Sequence, residues 1–471
     1  MRPTPTESPW LHDPAGLAAL APPGFRVGAH TSAFQVEGAV RDDGREPSTW
    51  DTFMGQPGRI VDGSNAAVAS DHYHRDGEDV RLLRELGVDT YRFSIGWPRL
   101  QPNGRGGANR SAVAFYDRLL DALLAEGIRP MATLFHWDTP EPLQHAGGWL
   151  NRDTASRFAD YAYLAGEAFG DRVDAWVTLN EPATVMLSGY ALGVHAPGAT
   201  LRFDALPAAH HQLLGHGLAV EALRAADVIG RIGIANVHTP VEPASDARAD
   251  VLYAELFDTI HNRVFTDPLL LGRYPELPEE LRSLSSAFDE IEPSDLAAIG
   301  RPIDFYGLNY RAPSRIRAGH RPAVPDAPAD AWRHLPFSLA PWPESPVTGS
   351  GMPNAPEHLG VALRELAARY GSALPPVVIT ECGASYPDVV RADGSIDDEA
   401  RAAYLAEHLA VAFAGAEGVE VTEYQVRSLL DGWEWDAGFG QRFGLVHVDR
   451  DTQDRTTKRS YRFLQQVLGN R

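Results

Sequence analysis

Two stretches of this chain share one design. Ala175-Trp176-Val177-Thr178-Leu179-Asn180-Glu181 and Val377-Val378-Ile379-Thr380-Glu381 are each an apolar run that ends in a glutamate. Such runs read as short strands buried on both faces, each carrying a carboxylate to its tip. Barrels of parallel strands gather their reactive groups at that tip. A single strand-end glutamate can equally cap the next helix or pair with an arginine, but two of them suggest a joint task. Two carboxylates around an acetal carbon suit glycosyl transfer. One must be ionised and attack; the other must hold a proton for the departing oxygen. Arg92, within a predicted strand, is the candidate to keep Glu381 ionised, because a nearby cation favours the anion. Glu181 is then the acid and, later, the base for water. Asn180 beside it could orient the 2-hydroxyl of a sugar.

Other residues at or after predicted strands fit a polyhydroxylated ligand. Gln35, His136, Trp137, Glu434 and Trp435 offer amide, imidazole, indole and carboxylate groups. Sugars need apolar faces against rings and donor–acceptor pairs for hydroxyls. No glycine-rich loop of phosphate-binding type is present. His72 and His74, and His210 and His211, lack metal-ligand spacing with other ligands and read as structural.

The elements that would position these groups alternate regularly. Strands are predicted at 25–28, 90–94, 129–134, 175–181, 231–236, 305–309, 377–381 and 424–428. Helices are predicted at 76–86, 116–125, 158–169, 211–225, 253–265, 359–370, 399–414 and 460–468. Leu119, Leu120 and Leu123 mark one apolar face, and Gly87 and Gly127 end their helices. Eight strand–helix units predict one α/β chain folded as a (β/α)8 TIM barrel with long βα loops, spanning 23–471. Residues 1–22 read as a proline-rich lead-in, and 317–356 as an excursion over one face of the barrel.

Composition sets limits. The chain has 471 residues, 44% of them apolar, and a net charge of −21, which argues against nucleic acid or an anionic membrane as a partner. The lone Cys382 excludes an intrachain disulfide and a cysteine zinc site. No signal-peptide core or membrane-length apolar run is seen. A soluble, cytoplasmic protein is expected; its oligomeric state is not fixed by sequence.

From end to end the chain resembles glycoside hydrolase family 1, the retaining glycosidases of β-glucosidase type. The resemblance rests on Gln35-Val36-Glu37-Gly38, Trp50-Asp51-Thr52-Phe53, Tyr91-Arg92-Phe93-Ser94, His136-Trp137-Asp138, Thr178-Leu179-Asn180-Glu181-Pro182, Ile379-Thr380-Glu381 and Ser428-Leu429-Leu430-Asp431, followed by Glu434-Trp435 and Phe439. It implies Glu381 as nucleophile and Glu181 as acid and base. It implies Gln35, His136, Trp137, Asn180, Asn309, Glu434 and Trp435 as sugar contacts and Phe439 as an aromatic wall. A small-molecule glycoside would be the partner, and no metal or organic cofactor is implied.

Four lining positions depart from the family pattern. Arg311 stands where a tyrosine usually contacts the nucleophile, and Arg427 where a tryptophan usually lies under the sugar. Cys382 replaces an asparagine beside the nucleophile, and Met352 aligns nearest a leaving-group tryptophan. Losing the indole platform removes apolar area worth about 1–3 kcal/mol of binding to a neutral hexose. Either both arginines turn outward to acidic partners, or both point inward and read an anionic or unusually substituted ligand. The function is then a retaining β-glycosidase. A transglycosylase or biosynthetic enzyme on a modified or acidic sugar is the alternative. A non-catalytic sugar-binding relative is a third, disfavoured because both glutamates are present.

Overall fold

The computed structural model describes residues 8–277, 279, 291–319, 335–342 and 345–471. Eight parallel strands close into a barrel: β1 (Arg26–His30), β2 (Thr90–Ser94), β3 (Arg129–Phe135), β4 (Ala175–Asn180), β5 (Arg231–Val237), β6 (Phe305–Tyr310), β7 (Val377–Cys382) and β8 (Val421–Arg427). Each strand pairs with its neighbours in sequence, and β8 closes on β1 with Arg427 opposite His30. The β2, β4, β6 and β7 strands are buried at every position, as parallel strands covered by helices on one side and barrel filling on the other must be. Met131, Ala175, Val177, Ala235, Phe305 and Val378 fill the barrel interior as a separate apolar cluster.

Helices form where the apolar positions recur at helical spacing. Arg110–Ala125 begins at Asn109, whose side chain accepts from the Ser111 amide, and it buries Leu119, Leu120 and Leu123. His72–Leu86 ends at Gly87, whose φ of 82° a side chain would resist. The helix expected over 253–265 is interrupted. It runs Arg248–Asp258, widens to a π turn at Thr259–Arg263, and resumes at Val264–Leu271. The Thr259 hydroxyl donates to the Glu255 carbonyl, and Pro268 inside the last piece has no amide to return to the preceding turn.

Part of the predicted excursion can be described. Ser314–Ala318 pairs antiparallel with Phe337–Leu339 and parallel with Val241–Pro243. The stretches 320–334 and 343–344 of that excursion lie outside the described residues. The N-terminal lead-in is more than a tail. Pro14–Ala18 is helical and packs against the C-terminal helix Arg459–Leu468, with Leu17 fully buried. Among the described residues no helix is long and apolar enough to cross a membrane.

The barrel's amino-terminal rim is tied by charge: Arg26 bridges Asp174 and the buried Glu423 at 3.0 and 2.8 Å. Leu17→Ala is expected to cost about 2–5 kcal/mol of stability, seen as a lower urea midpoint at an unchanged slope. A variant as stable as the parent would show that the lead-in does not contribute to the fold.

Candidate active site

All groups of interest lie at or just past the carboxyl ends of the strands. Glu181 follows β4 directly, with φ of 46°; Trp137 has φ of 76° and Trp435 of 55°. Non-glycine residues in this left-handed region cost about 1–3 kcal/mol each and cluster at functional sites. The surrounding packing must hold them there. Trp137 and Trp435 rest against each other with ring centroids 4.5 Å apart, and Phe34 stacks on Trp435.

The two strand-end glutamates share donors. Arg311 Nη2 reaches Glu181 Oε1 at 2.8 Å and Glu381 Oε1 at 3.2 Å. Asn309 Nδ2 donates to Glu181 Oε1 at 2.8 Å and approaches Glu381 Oε2 at 3.4 Å. One nitrogen between two oxygens bounds their separation at roughly 6 Å, which favours the retaining spacing of about 5–5.5 Å over the inverting 6.5–9.5 Å. The Thr184 hydroxyl donates to Glu181 Oε2 at 2.7 Å.

Arg311 and Arg427 both point inward, so the outward alternative is discarded. Arg427 lies over the Phe443 ring, with Nε 3.3 Å from Glu381 Oε1 and Nη2 2.5 Å from Glu434 Oε2. Burial pushes the Glu381 carboxyl up. The guanidinium groups of Arg427, Arg311 and, last, Arg92 outweigh it and hold Glu381 below its ordinary value. Arg92 therefore has a smaller part than the sequence suggested. Its guanidinium is occupied by the Thr380 carbonyl at 2.7 Å and Asn180 Oδ1 at 2.6 Å, and it stands 3.7 Å from Glu381. Burial brings Arg92 down to about 10, still charged at neutral pH. Burial raises Glu434 despite Arg427.

The remaining predicted residues divide into two layers. Trp137, Glu434 and Trp435 line a cavity of about 400 Å³ together with Glu181, Arg311 and Arg427. Gln35, His136, Asn180, Asn309 and Glu381 lie deeper, nearly or fully buried against the arginines. Gln35 donates to the Trp433 carbonyl at 3.2 Å, Trp137 Nε1 to the Asn180 carbonyl at 2.8 Å, and Asn180 Nδ2 to His136 Nε2 at 3.1 Å. That last bond needs a neutral imidazole acceptor, and burial lowers His136 well below its ordinary value.

Phe439 is not at the cavity wall. Its amide is held by Asp62 and the Arg450 guanidinium covers its ring at 3.7 Å, so Phe443 takes the wall position. Cys382 is fully buried, and burial pushes its thiol up to about 12, so the sulfur stays protonated and away from solvent. Sequence reasoning missed His30, whose ring stacks on His136 and sits 3.8 Å from Glu381. Its place at the end of β1 was the signal. Met352 does line the cavity, with Leu339, Thr348 and Ser350 from the excursion.

Two groups of three ligand atoms lie close enough to hold a metal ion among the described residues: His30, His136 and Glu381, and Asp388, Asp431 and His447. Cations already face both. Three arginines surround Glu381, and Lys458 Nζ sits 2.8 and 2.7 Å from Asp388 and Asp431. A divalent ion would be repelled there. His72 and His210 instead pair with Asp79 and Asp295, and His211 bonds the Trp149 carbonyl.

Residues 18–471 match the model of glycosyl hydrolase family 1. The chain belongs to that family. A beta-glucosidase from Agrobacterium sp. is 41% identical over 96% of this family 1 chain and 95% of its own length. The solved psychrophilic beta-glucosidase BglU from Micrococcus antarcticus superimposes with a TM-score of 0.89 at 41% identity, over 97% of this chain and 99% of its own. The virulence factor SghA from Agrobacterium tumefaciens does so at 0.89 and 39%, with 97% and 99% covered. These structures share the closed eight-stranded barrel.

One buried acid in this family 1 chain makes a pH test. Asp138 accepts from the Trp97 amide at 3.2 Å, and its other oxygen has no partner. Burial pushes its carboxyl up to about 7. The folded state therefore holds its proton longer than the unfolded chain does, so stability is lost as pH rises from about 4 towards 7. Asp138→Asn is expected to gain stability relative to the parent across that window and to level off above it. A stability difference independent of pH in chemical denaturation would refute the assignment.

Proposed function

We propose that the chain is a retaining β-glycosidase of the β-glucosidase kind, acting on a small-molecule glycoside by double displacement. The observation that supports this reading is the single Arg311 nitrogen shared by Glu181 and Glu381, which bounds the separation of their nearest oxygens at roughly 6 Å, nearer to retaining than to inverting spacing. Relatives along the whole chain are named beta-glucosidases, and SghA has been solved with salicin as a substrate analogue.

In the first step a Glu381 oxygen bonds the anomeric carbon while the bond from that carbon to the leaving oxygen breaks. The electron pair stays on that oxygen, which takes the proton of Glu181. In the second step water gives a proton to Glu181 and its hydroxyl to the anomeric carbon. The ester electron pair returns to Glu381, restoring both groups. Gln35, His136, Asn180, Asn309 and Glu434 supply donors and acceptors for hydroxyls, and Trp137 and Trp435 supply apolar faces.

A 2-fluoro-glycoside with a dinitrophenyl leaving group should label Glu381, seen as a mass shift on its peptide. Glu381→Gln should lower kcat/KM on the order of 10⁴-fold or more. Absence of label with a panel of sugars, or turnover that survives the substitution, would overturn the reading. Because the attacking group must be ionised and Glu381 is held low, the acid limb of kcat/KM should lie below the ordinary glutamate range. Arg427→Gln should move that limb upward; an unmoved limb would show that Arg427 does not set the charge state of Glu381.

A further inference from the structure

The helix that widens at Thr259–Arg263 carries His261 into the cavity wall beside Phe257, with their ring centroids 5.0 Å apart. Phe257 packs with Leu187 and Leu192, which line the same cavity, so this flank is apolar. The flank begins close to Glu181. Thr184, which donates to that carboxyl, lines the cavity one turn before Leu187. A group that protonates a leaving oxygen must stand next to it. On the double-displacement reading above, this flank therefore faces the leaving group.

The hydrogen bonds around His261 fix which of its ring nitrogens carries the proton. Asn262 beside it is buried, and its Nδ2 donates to the Thr239 carbonyl and to Asp258 Oδ1, both at 2.8 Å. Those two acceptors settle the orientation of the amide, and its Oδ1 accepts from the Thr239 amide at 3.2 Å. The same Oδ1 lies 2.9 Å from His261 Nδ1. An amide oxygen only accepts, so Nδ1 must hold the proton. Burial keeps the ring below its ordinary value, and it is neutral at pH 7. Nε2 is then a bare acceptor with nothing to donate. It has no partner among the described residues. His261 is partly exposed, unlike His216 and His408, whose free nitrogens are sealed from solvent.

We propose that His261 selects the leaving group, an aromatic aglycone carrying a hydroxyl that donates to Nε2. The apolar flank takes the ring, and the hydroxyl is the feature that the imidazole reads. Ser188, Thr348 and Ser350 also line the cavity, but hydroxyls turn to serve a donor or an acceptor alike and so do not discriminate. A leaving group that fills the flank without a donor shuts solvent away from Nε2 and leaves it unpaired, which costs more than the bond itself gains. One that offers only an acceptor sets two lone pairs against each other. His261 is thus a specificity-determining residue that touches no reacting atom. This assignment rests on the double-displacement reading.

Matched aryl glucosides test this. Phenyl β-D-glucosides with a hydroxymethyl group at the ortho, meta or para position are compared with their methoxymethyl counterparts, which accept but do not donate, and with ethyl ones, which do neither. At one ring position or more, kcat/KM for the hydroxymethyl compound should exceed both others by roughly 3- to 10-fold. His261→Phe should remove that preference, and His261→Gln, whose amide oxygen still accepts, should keep part of it. Each ratio is taken within one variant, so a loss of folded protein cancels. Nitrogen-15 spectra of the histidine-labelled protein give a second readout without turnover. The His261 signals, identified by their disappearance in His261→Gln, should show the proton on Nδ1. No preference at any ring position, a preference that survives in His261→Phe, or a proton on Nε2 overturns the proposal. Label on Glu381 from the dinitrophenyl trap without a donor preference defeats this inference alone, whereas absence of label defeats the reading beneath it.

Discussion

Three guanidinium groups and three carboxylates sit almost out of water at one end of the barrel, and their mutual neutralisation is the condition on which this site exists. Removing an ion from water costs several kcal/mol, and a single partner at 4 Å returns about 4 kcal/mol at the effective dielectric of protein interiors. One partner per charge is therefore marginal. Glu381 faces Arg92, Arg311 and Arg427, and Arg311 and Arg427 each meet two carboxylates. Every group in the cluster limits the charge state of the others, so none can be assigned a chemical role in isolation.

The barrel makes this crowding possible. Parallel strands in register bring His30 level with Arg92 and Arg427, and Glu381 level with Asn309. Bulges then adjust individual tips. The β4 and β5 pairing shifts between Val177 and Asn180, and β7 shifts against both its neighbours before Cys382. Those shifts fall towards the carboxyl ends, where Glu181 and Glu381 emerge; one more lies at the start of β7, between Val377 and Val378.

Much of this was legible in the residues themselves. Strands such as Ala175–Asn180 and Val377–Cys382 open as short apolar runs and end in polar residues, so their existence and order could be read almost to the residue. A position at a strand tip marked Glu181, Asn180, His136 and Glu381, because a parallel barrel leaves such positions little choice of direction. What sequence could not supply was the course of long side chains. Arg311 and Arg427 have enough rotatable bonds to face either way, and only the carboxylates contributed by other strands decide. Arg92 looked like the partner of Glu381, but its fork is taken by a carbonyl and an amide from β7 and β4. Phe439 and Phe443 lie four residues apart in one irregular loop, and an arginine from elsewhere in the chain, Arg450, settles which of them faces the cavity. The π turn at Thr259 likewise reflects local hydroxyl bonding that apolar periodicity does not register.

The single sulfur-bearing nucleophile of the chain, Cys382, is sealed beside Tyr404 and shielded from solvent. A cysteine introduced at the rim of the cavity would thus be the sole thiol open to maleimide chemistry, with no background to subtract. A fluorophore placed there would watch the guanidinium groups from outside the charged cluster, in a protein otherwise unaltered at its centre.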